Sequence, residues 1–313
     1  MKPELTRRQM IAGLAAAAVP LAAAEPAKPE INAFSKHFQW TDVKEMSEIC
    51  AGIGYQAIDL TVRPGGHVLP ERAADDLPKA AEAIRKAGLK LGMITSDIVD
   101  VTTPHAATVL KTLAALGVRH YRWGGFRYKE TPSIPDQLAE FKPKVKDLAA
   151  LNRDLKVTAM YHTHSGVNQV GASMWDLYYL LSGFEATAVS ANYDIGHATV
   201  EGGYGGWIHS SRLLMPYMQG VAVKDFKWKQ NAKGQWVPGW CALGQGMVNF
   251  KQFFSMLKAA KFAGPVQLHM EYDELGGADK GSKTFTIPRQ QLLSIYKRDI
   301  DTLKRMLVEG GLA

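Results

Sequence analysis

The chain has 313 residues, 46% hydrophobic and 21% charged, with a formal net charge of +7. This is enough apolar material for one large α/β barrel or two smaller domains, and it rules out a chain too polar to build a core. The basic surplus comes without a long Lys/Arg run, so it leaves no nucleic-acid or anionic-membrane footprint. Cys50 and Cys241 stand far apart without metal-site spacing and read as buried small hydrophobes.

Residues 1–24 read as a cleaved export signal. TRRQMI precedes the apolar run AGLAAAAVPLAAA, and Ala22-Ala23-Ala24 offers small residues to a peptidase. The run is too short and alanine-rich for a stable membrane span. The Arg7-Arg8 pair resembles a twin-arginine signal, which implies a periplasmic or otherwise exported protein folded before export. The mature domain then spans residues 25–313.

Eight strands are predicted in chain order: INAFSKHF (31–38), AIDLTV (57–62), KLGMITSDI (90–98), HYRWGG (120–125), KVTAMYHTH (156–164), VSANYDIGHA (189–198), VAVKDFKW (221–228) and PVQLHMEY (265–272). Between them, apolar residues recur at helical spacing, as in Val109, Leu110, Leu113 and Leu116, or Leu138, Phe141, Val145 and Leu148. EGGYGGW (201–207) reads as a loop after the sixth strand. Eight βα units without a composition break predict a single (β/α)8 TIM barrel, near that fold's typical length of about 250 residues. An open doubly wound sheet would call for a glycine-rich turn after the first strand, and INAFSKHFQW has none.

Polar residues collect at the strand ends, where barrel enzymes carry their chemistry. The second strand runs into Arg63 and His67, and the fourth carries Arg122 and Trp123. The fifth ends in His162 and His164, and the sixth in Asp194 and His197, with Gly196 supplying freedom to turn His197 inward. The seventh holds Lys224 and Asp225 and runs on to Trp228, and the eighth ends in His269 and Glu271. Several ionisable groups buried at one mouth must pair, bind metal or face a wet pocket. Imidazole and carboxylate together suit a divalent ion. Lys224 pairs with Asp194 or with Asp225, or acts as an acid–base group with its pKa lowered by desolvation.

These strand ends resemble the xylose-isomerase-like barrels, the sugar phosphate isomerase/epimerase superfamily. The resemblance is nearest to an exported branch with YHxHSG, YDIGHATVEGG, KDFxW and GPVxxHxEY patterns. It implies a divalent metal (Mn, Zn, Mg or Co) held by a glutamate, an aspartate, a histidine and a glutamate on strands five to eight. Asp194 and Glu271 match the second and fourth of these. His162 stands at the first position and Ala222 at the third, so His197 or water would complete a set of His162, Asp194 and Glu271.

The expected activity is isomerisation or epimerisation of a sugar or keto-sugar by proton transfer alpha to a carbonyl. Glu271 is the expected base, with His162 or Lys224 opposite it. Arg63, His67, Arg122, His164 and His269 are expected to bind substrate, with Trp228 or Trp123 stacking on a sugar face. The expected partner is a small carbohydrate, with no nucleic acid. A keto-sugar or cyclitol lyase, a metal-free acid–base site and a non-catalytic carbohydrate-binding barrel are the alternatives.

Overall fold

The computed structural model describes residues 28–313, so the export signal expected at 1–24 lies outside the described residues. Eight parallel strands close into a barrel: β1 (Ile31–Phe34), β2 (Ala57–Thr61), β3 (Lys90–Thr95), β4 (His120–Trp123), β5 (Thr158–His162), β6 (Val189–Asp194), β7 (Met218–Val223) and β10 (Val266–Leu268). The ring runs β1-β10-β7-β6-β5-β4-β3-β2, each strand pairing with its sequence neighbours and β10 closing on β1. The fold is a single (β/α)8 TIM barrel. A two-stranded antiparallel hairpin, β8 (Asp225–Gln230) and β9 (Trp236–Cys241), follows the seventh barrel strand.

The helices are α1 (Val43–Ile53), α2 (Ala73–Lys86), α3 (Ala106–Ala115), α4 (Ile134–Leu155), α5 (Trp175–Leu181), α6 (Ile195–Gly202), α7 (Gly206–Leu214), α8 (Phe250–Ala259) and α9 (Arg289–Glu309). Their periodic apolar faces are buried, as at Leu110 and Leu113, Val145 and Leu148, Phe253 and Phe254, and Ile300 and Leu303. Local chemistry sets their ends. Asp42 caps α1 by accepting from Glu45 N at 2.8 Å, and Gly54 ends it with φ 102°. No described helix is long and apolar enough to cross a membrane.

Three sequence expectations shift here, each for a physical reason. The sixth strand stops at Asp194, because its carboxylate accepts from His197 N at 3.0 Å and so starts α6. His197 therefore sits in a first helical turn. Gly196 is needed there for space: a Cβ on it would lie 2.8 Å from both Lys224 Cγ and Lys224 O. The stretch 201–207, expected as a loop, instead closes α6 and opens α7 around Gly203. The seventh strand breaks at Lys224, and the apolar-polar run beyond it becomes the hairpin.

The barrel interior is unusually polar. Asn32, Asp59, Thr95, Asn192 and Gln267 are all fully buried. Asn192 Nδ2 donates across the interior to Gln267 Oε1 at 2.5 Å, and Thr95 Oγ1 donates to both oxygens of Asp59 at 2.8 and 2.9 Å. Hydrocarbon would normally fill these places.

Candidate active site

Lys224, the residue after β7, is the hub of the mouth. Its Nζ lies 2.6 Å from His197 Nε2, 2.8 Å from Glu271 Oε2 and 3.3 Å from Asp194 Oδ2. The Trp240 ring closes another side, with its centroid 4.3 Å from Nζ. An ammonium only donates, so His197 accepts at Nε2 and carries its proton on Nδ1, 2.7 Å from Ser165 Oγ. Burial, then Lys224, pushes the His197 pKa well below its ordinary value, so this ring is neutral.

The choice between Asp194 and Asp225 resolves in favour of Asp194. Asp225 turns into the hairpin, where its carboxylate accepts from the backbone of Phe226, Gly244, Gly246 and Val248 at 2.9, 3.0, 2.9 and 3.2 Å. That anchors the loop beyond β9, the strand that carries Trp240.

Glu271 bridges two cations, Lys224 through Oε2 and Lys36 through Oε1 at 3.0 Å. Burial works to raise its pKa, but Lys224 and Lys36 beside it hold the carboxyl well below its usual range. With 24% of its side chain exposed, it is the acidic group of the hub that meets solvent. Asp194 is completely buried, and burial pushes its pKa up to about 6 against the pull of Lys224.

Below this layer, the His162 ring meets the His269 ring at a centroid distance of 5.1 Å. His162 Nε2 is 3.6 Å and His269 Nδ1 4.0 Å from Asp194 Oδ2. Both histidines are held well below their ordinary pKa, chiefly by burial. His269 is 3% exposed and stacks on Phe34 at 4.5 Å, which places it in the floor of the mouth.

The other expected contacts divide. His164 shares the mouth, its Nε2 3.3 Å from an Arg122 terminal nitrogen and its Nδ1 donating to His162 O at 3.1 Å. Burial lowers the His164 pKa to about 3. The charges of Asp59 and Glu271 bear on both Arg63 and Arg122. His67 instead turns to Thr61 Oγ1 at 3.2 Å, beside a rim cleft formed with Gln39, Thr41 and Asp42. Trp123 is core, with Nε1 donating to Val99 O at 2.7 Å. Trp228, 41% exposed, lines a separate cleft with Tyr204, Trp207 and Met247. The hairpin breaks the predicted seventh strand and carries Trp228 outward, bringing Trp240 to the lysine in its place.

Lys36, Asp59 and Trp240 were not anticipated. Lys36 falls just beyond β1 in a 3-10 turn (Ser35–Phe38), where the strand-end rule, applied to the first strand, finds it. Asp59 announces itself as an acid inside the apolar strand AIDLT. Trp240 had no such signal, because nothing in the local period indicates where a hairpin folds back.

The expected ligand set of His162, Asp194, His197 and Glu271 does not fit an ion. Three of the four converge on the Lys224 ammonium, and His197 has both ring nitrogens engaged. A different set fits. His162, Asp194 and His269 bring three donor atoms within 4.8 Å of one another. Both ring nitrogens of His269 are buried without a hydrogen-bond partner, and Asp194 Oδ2 has only the Lys224 ammonium at 3.3 Å. Neutral imidazoles with one carboxylate suit a first-row divalent ion.

His37 holds the chain just past β10, with Nε2 accepting from Met270 N at 3.1 Å. Burial, then Lys36, pushes its pKa from 6.5 down to about 3. Below pH 6.5 the unfolded chain therefore binds this proton first. Stability is complete above that pH and falls as pH drops toward 3, by about 1.4 kcal/mol per pH unit for this ring. Asp59 and Asp194, raised to about 6, act in the opposite sense below that pH. Urea unfolding at pH 7, 6, 5 and 4 should show a shallower acid loss for His37→Gln than for the parent chain. Parallel profiles would refute this assignment.

Solved structures share the whole architecture. A xylose isomerase-like TIM barrel protein from Mycobacterium smegmatis, in complex with magnesium, matches with TM-score 0.64 and 13% identity, covering 91% of this chain and 98% of that one. The apo 3-keto-D-glucoside 4-epimerase of E. coli matches with TM-score 0.63 and 12% identity, covering 90% and 100%. A probable 3-DHS dehydratase from Bacillus anthracis, involved in petrobactin synthesis, matches with TM-score 0.62 and 13% identity, covering 88% and 98%. No curated protein matches this sequence. At such identities the likeness is one of fold. The family model for xylose isomerase-like TIM barrels matches residues 47–312, and this chain belongs to that family.

Proposed function

We propose that this protein is a sugar or keto-sugar isomerase or epimerase that moves a proton at the carbon beside a carbonyl. The observation that carries the reading is an ionised, partly exposed Glu271 held between Lys224 and Lys36 at the barrel mouth. A carboxylate clamped by two ammonium groups is a weak base. A substrate carbonyl that draws one lysine to its own oxygen strengthens Glu271 as it approaches. Glu271 then takes the alpha proton, the C–H electrons move through the new C–C double bond onto oxygen, and the lysine hydrogen bond stabilises the enediolate. Protonation of the other face by a second acid gives an epimer. Delivery of the Glu271 proton to the neighbouring, former carbonyl carbon, with loss of the hydroxyl proton at the carbon first deprotonated, gives an isomer.

His162, Asp194 and His269 are the residues that would hold a divalent ion such as Mn, Zn, Mg or Co. Such an ion, when bound, supplies Lewis-acid polarisation of the carbonyl oxygen. With the amides of Asn192 and Gln267 both turned, Asn192 Oδ1 would accept from His162 Nδ1–H and from Gln267, leaving His162 Nε2 as the ligand atom. The Arg7-Arg8 leader makes free sugars, outside the cytoplasm, the natural substrates of this reading.

Incubation of the full chain with 2-keto and 3-keto sugars in D2O tests the proposal. Deuterium should enter alpha to the carbonyl with the carbon skeleton intact. Loss of water from the substrate would establish a lyase instead. Binding without exchange would establish a non-catalytic carbohydrate-binding barrel.

A further inference from the structure

The mouth has two electrically different sides. On the β7–β10–β1 side, Lys224 and Lys36 are both committed to carboxylates. On the β2–β4 side, Arg63 and Arg122 are not. Among the described residues neither guanidinium has a carboxylate oxygen within 4.0 Å, although both are partly buried. Arg63 makes no side-chain hydrogen bond there, and Arg122 makes one, to the neutral His164 ring at 3.3 Å. A guanidinium carries five N–H donors in a planar fork.

The carboxylates nearby are each occupied or distant. Asp59 acts on both arginines, but its two oxygens accept from Thr95 and reach neither. Glu271 and Asp194 belong to the lysine hub, and Asp97 sits exposed on the rim. Arg63 raises the cost of charging Arg122, and the two side chains leave most of their N–H donors without a protein partner. An arrangement that costs energy in the empty protein is offset when a ligand brings the missing anion.

We propose that Arg63 and Arg122 form an anion-binding fork, and that the substrate is a sugar acid whose carboxylate docks there while its carbonyl reaches Lys224 and Glu271. The inference rests on the proton-transfer reading for the second half of that sentence only. A planar carboxylate matches the fork with two parallel hydrogen bonds. A phosphate dianion would bring twice the charge into a mouth that already holds Glu271, Asp194 and Asp59.

Calorimetric titration of the full chain at low ionic strength tests this with D-glucuronate and D-galacturonate. D-glucose and D-galactose serve as neutral counterparts, and glucose 6-phosphate as the phosphate arm. The uronates should bind at least about tenfold tighter than the neutral sugars. Arg122→Gln and Arg63→Gln should each remove most of that difference while leaving neutral-sugar affinity in place, with unchanged circular dichroism. Equal affinity for charged and neutral sugars would overturn the proposal, as would equal weakening of both classes in the variants. Tighter binding of the phosphate than of the uronates would also overturn it. The arm is separable from turnover: arginine-dependent uronate binding without deuterium exchange leaves the fork standing and removes the isomerase reading. Deuterium exchange on keto-sugars, with uronates binding no tighter than their neutral counterparts, does the reverse.

Discussion

Glu271→Gln is expected to lower turnover by about 10²–10⁴-fold, the range for loss of a positioned general base. Glutamine keeps the shape, and its one amide oxygen can still accept from Lys224 or from Lys36, at one of the two positions now held by the carboxylate oxygens. The fold should therefore survive, because Lys224 retains Asp194 and Lys36 is partly exposed. Binding of substrate should change far less than turnover, since the amide removes proton affinity and not the surroundings. The decisive measurement is deuterium wash-in at the alpha carbon, read beside affinity for the same sugar. Wild-type exchange in this variant would remove Glu271 from the mechanism and leave a histidine or lysine as the base.

Much of this site was legible because a barrel repeats one rule eight times. Alternation and helical spacing located every barrel strand, and the strand-end rule gathered His162, His164, Asp194, Lys224, His269 and Glu271 into one mouth. What the rule does not encode is depth and direction. His162 and His269 lie sunk beneath the mouth, while Glu271, two residues past His269, reaches solvent. Period-two reasoning places His269 and Glu271 on one face without saying how far up it each stands. Nor does the sequence show a competition for one carboxylate. Asp194 caps α6, faces two imidazoles and contacts an ammonium, and only packing decides which partner holds it. The metal set implied by the resemblance accordingly included Glu271 and His197, which in the fold both pair with Lys224 beside Asp194. The hairpin is a third case: its return path depends on Asp225 gathering four backbone N–H groups, a tertiary event with no periodic signature.

Lys224→Met should destabilise the protein by about 3–5 kcal/mol, as expected when one partner of a buried ion pair is removed. The side chain is 2% exposed and Asp194 is completely buried, so water cannot replace the lost ammonium. Methionine fills the same volume, which isolates the charge from the packing. Asp194→Asn in the same chain removes the stranded negative charge. The double variant should then recover about half of the loss, although Asn still has to serve as the α6 cap that Asp194 now provides at 3.0 Å from His197 N. Urea unfolding of the two single variants and the double at pH 7.5, above the raised Asp194 pKa of about 6, measures this coupling. At pH 5 Asp194 takes up a proton once its ammonium is gone, so the Lys224→Met penalty should shrink there. A penalty that is additive in the double variant and constant between the two pH values would show that Lys224 acts through packing alone. In that case its place among Asp194, His197 and Glu271 would not be what organises the mouth.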